Sequence, residues 1–185
     1  MIIAPKVSIA AKKRMLFGSL GGCLGIMLIV TLDSVENTLE FGRLLGQQLP
    51  VGAIVCLKGE LGVGKTTFVK GIAKGLAIAG LVSSPTFTII NHYEGKLPLY
   101  HIDTYRMNTA HDLIEIGIED YLPPKDGVTV IEWPELIADL LPQKRLEATL
   151  AYLSDNQREL ILEDLDGSYH EVLEEMKQHV GFRNR

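Results

Sequence analysis

Residues 59–67 read Gly-Glu-Leu-Gly-Val-Gly-Lys-Thr-Thr, which combines a nearly bare backbone with one ammonium group and two hydroxyls. Gly59, Gly64, Lys65 and Thr66 fit the spacing Gly-x4-Gly-Lys-Ser/Thr, in which successive backbone amides surround a phosphate. Glycine is suited to this role because it reaches backbone angles closed to other residues and lets amides approach an anion. The motif therefore predicts a loop that binds the phosphates of a nucleotide.

Within this loop, Lys65 is expected to reach the β- and γ-phosphates, and the Thr66 hydroxyl is placed to bind Mg²⁺. The N-terminus of the following helix adds partial positive charge. The sequence contains no Asn-Lys-x-Asp tetrapeptide of the kind that recognises guanine, so ATP is favoured over GTP. The loop residues expected to contact the nucleotide are Gly59, Gly62, Val63, Gly64, Lys65, Thr66 and Thr67.

Two acidic residues are candidates for the carboxylate that orients Mg²⁺ and the attacking group. Asp103 ends the run Leu-Pro-Leu-Tyr-His-Ile-Asp, and Glu132 ends Val-Thr-Val-Ile-Glu. Both follow mostly apolar strands, at the position where strand ends face a ligand in α/β sheets. The pattern alone does not rank the two acids. His101 alternates with Asp103 along its strand, and we expect it to be a half-buried histidine with satisfied hydrogen bonds.

The stretch Ser-Ser-Pro-Thr-Phe at 83–87 is a candidate switch loop. Pro85 favours an extended conformation before it, and Thr86 then offers a hydroxyl that could sense a γ-phosphate. An ordinary loop that enters a strand is the alternative. Arg106 either neutralises phosphate charge or pairs with an acid. Trp133 either stacks on a base or partner, or packs in the core.

Apolar periodicity predicts how these residues are positioned. Short apolar runs indicate buried strands, and runs with a period near four indicate helices. Because strands mix with helices, we predict a three-layer α/β fold of the P-loop NTPase type, with a mixed, mainly parallel central sheet and antiparallel hairpin additions. The predicted elements are helices at 34–48, 65–77, 109–121 and 170–180, strands at 27–34, 52–58 and 127–133, and hairpins at 86–103 and 146–163.

The length of 185 residues predicts one domain, and its net charge of −5 is unevenly distributed. The first 14 residues carry four positive charges and no acid, so the remainder carries about −9. Such a surface is poorly suited to neutralising nucleic-acid phosphates. Cys23 and Cys56 indicate neither a disulfide framework nor a zinc site, and Cys56 is expected to be a small buried hydrophobe.

Residues 1–26 are predicted to be an N-terminal extension. Lys12, Lys13 and Arg14 precede an apolar run at 15–30, which resembles a targeting segment but is short for a membrane span. The alternative is that translation starts at Met27, before a first strand. We therefore expect an ATPase domain at 27–180, a tail at 181–185, no membrane association and a cytoplasmic location.

Five motifs in order, GELGVGKTT, VSSPTF, HIDTYR, EIGIEDYL and VIEWPE, closely resemble those of the bacterial TsaE family, formerly called YjeE. The resemblance covers about residues 31–162. It implies a small P-loop ATPase needed to make threonylcarbamoyladenosine in tRNA. It also implies that the protein acts with the TsaB–TsaD pair, has low basal activity and meets tRNA only through that complex.

The resemblance further implies roles for individual residues. Thr66 and Glu132 would contact Mg²⁺, and Lys65 and Asp103 would serve hydrolysis. Trp133 would lie near the nucleotide, and Thr86 would belong to a nucleotide-dependent switch. Two other functions remain open: a P-loop kinase for a small acceptor, although no compact arginine cluster lies between 106 and 145, and a nucleotide-dependent assembly module without hydrolysis.

Overall fold

The computed structural model describes residues 10–12 and 26–180. Its helices are α1 (Val35–Gln48), α2 (Lys65–Gly75), α3 (Ala110–Glu115) and α4 (His170–Gln178), with short 3-10 helices at Ile118–Tyr121 and Pro134–Leu140. Its strands are β1 (Ala10–Lys12), β2 (Ile26–Leu32), β3 (Ala53–Lys58), β4 (Ile90–Tyr93), β5 (Leu99–Asp103), β6 (Val128–Glu132), β7 (Leu146–Tyr152) and β8 (Arg158–Asp164).

All eight strands form one mixed sheet in the order β1-β2-β8-β7-β3-β6-β5-β4. The four central neighbours, β7, β3, β6 and β5, run parallel to one another. Strands β4 on one side and β8, β2 and β1 on the other add antiparallel pairs. The predicted fold class is confirmed, since a parallel centre carries antiparallel hairpins at both edges.

Helices cover both faces of the sheet and complete three layers. Helices α1, α2 and α4 pack on one face over a large core that includes Phe41, Phe68 and Tyr169. The other face carries α3 and the 3-10 helices over a smaller core that includes Ile54 and Cys56. Strand β3 is buried on both faces, which explains its continuous apolar sequence. Cys56 is a free, buried thiol, as predicted.

Helices α1 and α2 touch through their backbones. Gly42 and Gly46 on α1 face Gly71 and Gly75 on α2, and a Cβ atom at any of the four would lie 2.3–2.5 Å from a carbonyl oxygen of the other helix. The closest contact at Gly46 is the carbonyl oxygen of Ile72, at 2.3 Å. This close approach fixes α2, and therefore the phosphate loop that precedes it, against α1.

Three predicted helices end earlier than expected, among them α4, which stops at Gln178, two residues before its predicted end. The helix predicted at 109–121 stops at Glu115, because Gly117 takes a left-handed conformation with φ of 80°, and a 3-10 turn follows. Helix α2 stops at Gly75, two residues before the predicted end, and Ala77 has φ of 59°. In the predicted hairpin at 86–103, residues 86–89 form a turn, and β4 begins only at Ile90.

The first predicted strand is present as β2, which begins at Ile26, one residue before Met27. Of the predicted extension, only residues 10–12 and 26 are described, and β1 pairs with β2 so that Ala10 lies opposite Thr31. The interpretations of the remaining extension and of the tail at 181–185 fall on residues outside the described ranges. Among the residues described, no helix has the length and apolar character to cross a membrane.

Candidate functional site

The glycine-rich loop joins the end of β3 to the start of α2. Gly59 and Gly64 have φ of 134° and 118°, in the region that favours glycine. A Cβ at Gly59 would lie 2.2 Å from the carbonyl oxygen of Leu150, whereas one at Gly64 would meet nothing within 4 Å. Gly64 is also the N-cap of α2 and provides no side-chain cap, so the first amides of the helix are free to face an anion.

The end of β6 lies beside the first turn of α2. The Thr66 hydroxyl donates a hydrogen bond to Oε1 of Glu132 over 2.9 Å, and the Glu132 side chain is almost fully buried. A hydroxyl has one proton and two lone pairs, so the Thr66 oxygen can donate to Glu132 and still bind a metal ion. Both groups are oxygen donors of the kind that Mg²⁺ prefers.

Few side chains near Thr66 and Glu132 could bind a metal ion. Within residues 10–12 and 26–180, no group of three or more His, Cys, Asp and Glu side chains is arranged to hold a metal ion. Mg²⁺ is usually bound by one or two protein oxygens together with substrate phosphates and water, rather than by a complete protein cage. Thr66 and Glu132 therefore fit a magnesium ion that arrives with a nucleotide.

Asp103 lies next to Glu132 across the parallel β5–β6 pair, and its contacts differ from those of Glu132. Its Oδ2 accepts hydrogen bonds from the Ser84 hydroxyl at 2.8 Å and the Thr86 hydroxyl at 2.6 Å. Its Oδ1 accepts one from the Tyr105 amide. The candidate switch loop is therefore fastened to this acid. Sequence reasoning identified Thr86 but missed Ser84, although both belong to the same Ser-Ser-Pro-Thr-Phe motif.

The Lys65 ammonium is held at the mouth of the loop. It donates to the carbonyl oxygens of Gly59 at 2.7 Å and Glu60 at 2.9 Å, and it lies 3.8 Å from the centre of the Trp133 ring. Burial lowers the pKa of Lys65, while the charges of Glu132 and Asp103 act to raise it. Trp133 has φ of 62°, which turns the chain directly after Glu132 and places the indole over the lysine.

His101 differs from the expectation of a half-buried, satisfied histidine. It is fully buried, because β5 lies between β6 and β4 in the sheet and the His101 side chain faces the larger core. Its Nε2 lies 2.9 Å from Oε1 of Glu132, and its Nδ1 has no hydrogen-bond partner among the described residues.

A cavity of about 580 Å³ brings most of the predicted site residues together. Val63 does not line it, because its side chain is buried in the core, and Gly59 lies behind the loop against β7. Leu61, Ser84, Tyr105 and Arg106 complete the wall. The predicted residues that line the cavity are Gly62, Gly64, Lys65, Thr66, Thr67, Thr86, Asp103, Glu132 and Trp133.

A second cavity of about 530 Å³ lies on the other side of the loop. Its walls come from the start of α1, from Gly62, Val63, Gly64 and Thr67, and from the turn between β7 and β8. Arg158 closes it by donating from Nε to the carbonyl oxygen of Val63 at 3.0 Å. Sequence reasoning assigned nucleotide contacts to the loop residues but none to residues 33–38 and 155–158, because nothing in the sequence connects these two segments.

Comparison with known proteins agrees with this architecture. A protein-family model described as threonylcarbamoyl adenosine biosynthesis protein TsaE matches residues 32–160. The chain belongs to the TsaE family. The matched region includes the phosphate loop, the switch loop, both acids and the walls of both cavities, so the family resemblance drawn from the five motifs is confirmed.

Individual relatives cover much of the same region. A TsaE protein of Bacillus subtilis is 39% identical over 150 residues, which is 80% of this chain and 93% of that protein. A TsaE protein of Synechocystis is 47% identical over 116 residues, 60% of this chain and 73% of that protein. Both are named tRNA threonylcarbamoyladenosine biosynthesis proteins.

A solved structure shares the TsaE architecture described above. The crystal structure of Bacillus subtilis YdiB superposes with a TM-score of 0.74 at 35% sequence identity. The superposition covers 85% of this chain and 99% of the YdiB chain. The mixed sheet with helices on both faces is therefore common to two chains whose sequences differ at most positions.

Proposed function

We propose that this TsaE-family chain is the ATP-binding and ATP-hydrolysing component of the system that makes threonylcarbamoyladenosine in tRNA. The observation that carries the proposal is the contact between Thr66 and Glu132 beside a phosphate loop, with Asp103 on the adjacent strand. The names of the relatives supply the pathway. We further propose that the protein works in the cytoplasm with the TsaB–TsaD complex.

The two cavities divide the nucleotide between them. Gly62, Gly64 and Thr67 line both, so a β-phosphate bound at the loop lies at their junction. The γ-phosphate then extends toward Asp103 and Glu132, and the nucleoside extends into the second cavity between Asp33 and Arg158. The free amides at the start of α2 bind the phosphates between these ends.

Four polar side chains of the first cavity have tasks in hydrolysis. Thr66 and Glu132 hold Mg²⁺, which neutralises charge on the β- and γ-phosphates when bound. Lys65 exchanges its two carbonyl partners for phosphate oxygens. The exchange is favourable because an ion pair replaces hydrogen bonds to uncharged oxygens. Asp103 orients the attacking water, and its Oδ2 releases Ser84 or Thr86 as it does so.

The hydrogen bonds of Lys65 and Asp103 favour a low basal rate of ATP hydrolysis. In the described conformation, Lys65 is bound to the loop carbonyls, and Asp103 is bound to the switch loop. We propose that both exchange partners before water attacks. We propose that TsaB–TsaD stabilises the rearranged state, so that hydrolysis is activated by the partner. Since the domain is acidic, tRNA is contacted only through that complex.

The deciding experiment measures phosphate release from ATP by the purified chain, first alone and then with TsaB–TsaD and tRNA from the same organism. We expect a low basal rate that rises at least about tenfold with the partners, and Glu132→Gln should abolish the rise. A rate that is indifferent to the partners would contradict the proposal. Phosphate transferred to a small acceptor instead of water would identify a kinase.

A further inference from the structure

His101 is a buried ionisable residue that the proposed hydrolysis does not use. It lies on β5 two residues before Asp103 and on the same face, while Asp103 lies opposite Glu132 on β6. This register places the imidazole diagonally below the Glu132 carboxylate, inside the larger core. There Nε2 of His101 is 2.9 Å from Oε1 of Glu132.

The position of the ring proton follows from the surroundings of the two nitrogens. Nδ1 is shielded from solvent and has no hydrogen-bond partner in the described part of the chain. A proton on Nδ1 would be buried without an acceptor, which is unfavourable. A proton on Nε2 has the Glu132 carboxylate as its acceptor. The ring therefore carries its proton on Nε2 and donates to Glu132.

This bond fixes one oxygen of the carboxylate. Oε1 of Glu132 accepts from both His101 and Thr66, each over 2.9 Å, and these donors come from β5 and α2. Oε2 accepts no hydrogen bond from the residues that the structure describes, and Glu132 lines the first cavity. With Oε1 held from two directions, the carboxylate has little freedom to rotate, and Oε2 is left for a ligand.

We propose that His101 is a positioning residue for Glu132: it holds Oε1 so that the carboxylate is oriented to bind the Mg²⁺ of a magnesium nucleotide. The link to magnesium rests on the proposed function. The bond from His101 to Glu132 does not depend on it. Partners that orient a metal-binding group are commonly worth about 10–100-fold in metal affinity.

The first test compares two substitutions in the full chain. His101→Leu removes the donor, whereas His101→Gln keeps an N–H close to the position of Nε2. ATP binding is expected to strengthen as Mg²⁺ is added. We expect His101→Leu to raise the Mg²⁺ concentration at the midpoint of this effect by about tenfold. His101→Gln should stay within about threefold of the parent chain, and ATP affinity without Mg²⁺ should be unchanged in both. Calorimetric titration measures all of these quantities.

A control separates positioning from simple loss of stability. Thr129 is as deeply buried on β6 but faces the other core and bonds to the carbonyl oxygen of Tyr121. Thr129→Val should lower the free energy of unfolding without changing the Mg²⁺ requirement. If His101→Leu behaves like Thr129→Val, or if His101→Gln loses as much Mg²⁺ affinity as His101→Leu, the positioning role is wrong.

The second test needs no ligand and uses a substitution only to assign the signal. Nitrogen–proton correlation spectra of the imidazole groups report which ring nitrogen carries a proton. We expect a proton on Nε2 of His101, with the signal assigned by its loss in His101→Gln. A ring without a proton on Nε2 would overturn the inference. This result can be obtained even if His101→Leu does not fold, because the spectrum is recorded on the parent chain. If the parent chain shows no Mg²⁺-dependent ATP binding, the proposed function fails, and this spectrum still decides the contact.

Discussion

Thr66 connects the first turn of α2 to the end of β6 through one hydrogen bond. We expect Thr66→Ala to weaken Mg²⁺-dependent ATP binding by about 10–100-fold, because the proposed metal ligand and an orienting partner of Glu132 are lost together. The fold should remain, since the side chain is only partly buried at the surface of the cavity. Titration with and without Mg²⁺ measures the effect.

Thr66→Ser serves as the matched control, because serine keeps the hydroxyl and loses only a methyl group. Its Mg²⁺ requirement should stay close to that of the parent chain. Equal affinities of Thr66→Ala and Thr66→Ser for the magnesium nucleotide would refute the assignment of Thr66 to the metal.

The two candidate acids show what the sequence predicts at the level of single residues. Asp103 and Glu132 both end apolar strands, so periodicity placed them at the correct edge of the sheet but could not distinguish them. Their different contacts arise from other elements: Glu132 meets α2 and His101, and Asp103 meets the switch loop. Such contacts depend on strand order and register, which no local pattern in this sequence specifies.

At the scale of elements, the α1–α2 contact predicts an unusual sensitivity to small substitutions. Gly46→Ala would place a methyl carbon 2.3 Å from the carbonyl oxygen of Ile72, so the helices must separate. We expect a loss of about 1–3 kcal/mol in the free energy of unfolding, which exceeds the gain in helix propensity from alanine. Urea denaturation monitored by circular dichroism measures this loss.

Gly80→Ala is the control for this substitution, because a Cβ at Gly80 meets nothing within 4 Å. Its free energy of unfolding should stay within about 0.5 kcal/mol of the parent value. If Gly46→Ala were equally harmless, the close packing of the two helices would be wrong.

Element positions were more predictable than element contacts. Strand β1 was not predicted. The phosphate loop and the other strands lie within two or three residues of their predicted places, apart from the start of the hairpin at 86–103, because apolar runs and glycine spacing are local signals. The break in α3 was missed because Gly117 lies inside an otherwise helical pattern. The α1–α2 contact was missed because four glycines in two helices look unremarkable until the helices are side by side.

For the whole molecule, the charge distribution makes a prediction about tRNA. The first 14 residues carry four positive charges, and the remainder carries about −9. We expect fluorescence anisotropy to show no binding of labelled tRNA by the chain alone at about 0.15 M salt, where the Debye length is about 8 Å. Adding TsaB–TsaD should produce binding.

The basic N-terminus provides an internal control. Any binding of tRNA at low salt should disappear when Lys12, Lys13 and Arg14 are replaced by glutamine, because these residues are most of the positive charge in that segment. Tight binding by the chain alone at physiological salt, unaffected by this substitution, would contradict indirect contact with tRNA.

The second cavity shows where whole-molecule prediction from sequence ends. Its walls come from the start of α1, the phosphate loop and the β7–β8 turn, three segments far apart in the chain. They meet because β8 lies between β2 and β7 in the sheet. Five local motifs were enough to identify the family, but this meeting point depends on the strand order.

The placement of Trp133 has an optical consequence. It is the one tryptophan of the chain, and its ring lies 3.8 Å from the Lys65 ammonium. All tryptophan fluorescence of the protein therefore originates beside the phosphate loop. A cation so close to an excited ring alters the energy and yield of its emission, and a nucleotide that draws the lysine away changes both. The molecule thus carries an intrinsic fluorophore at the proposed nucleotide site.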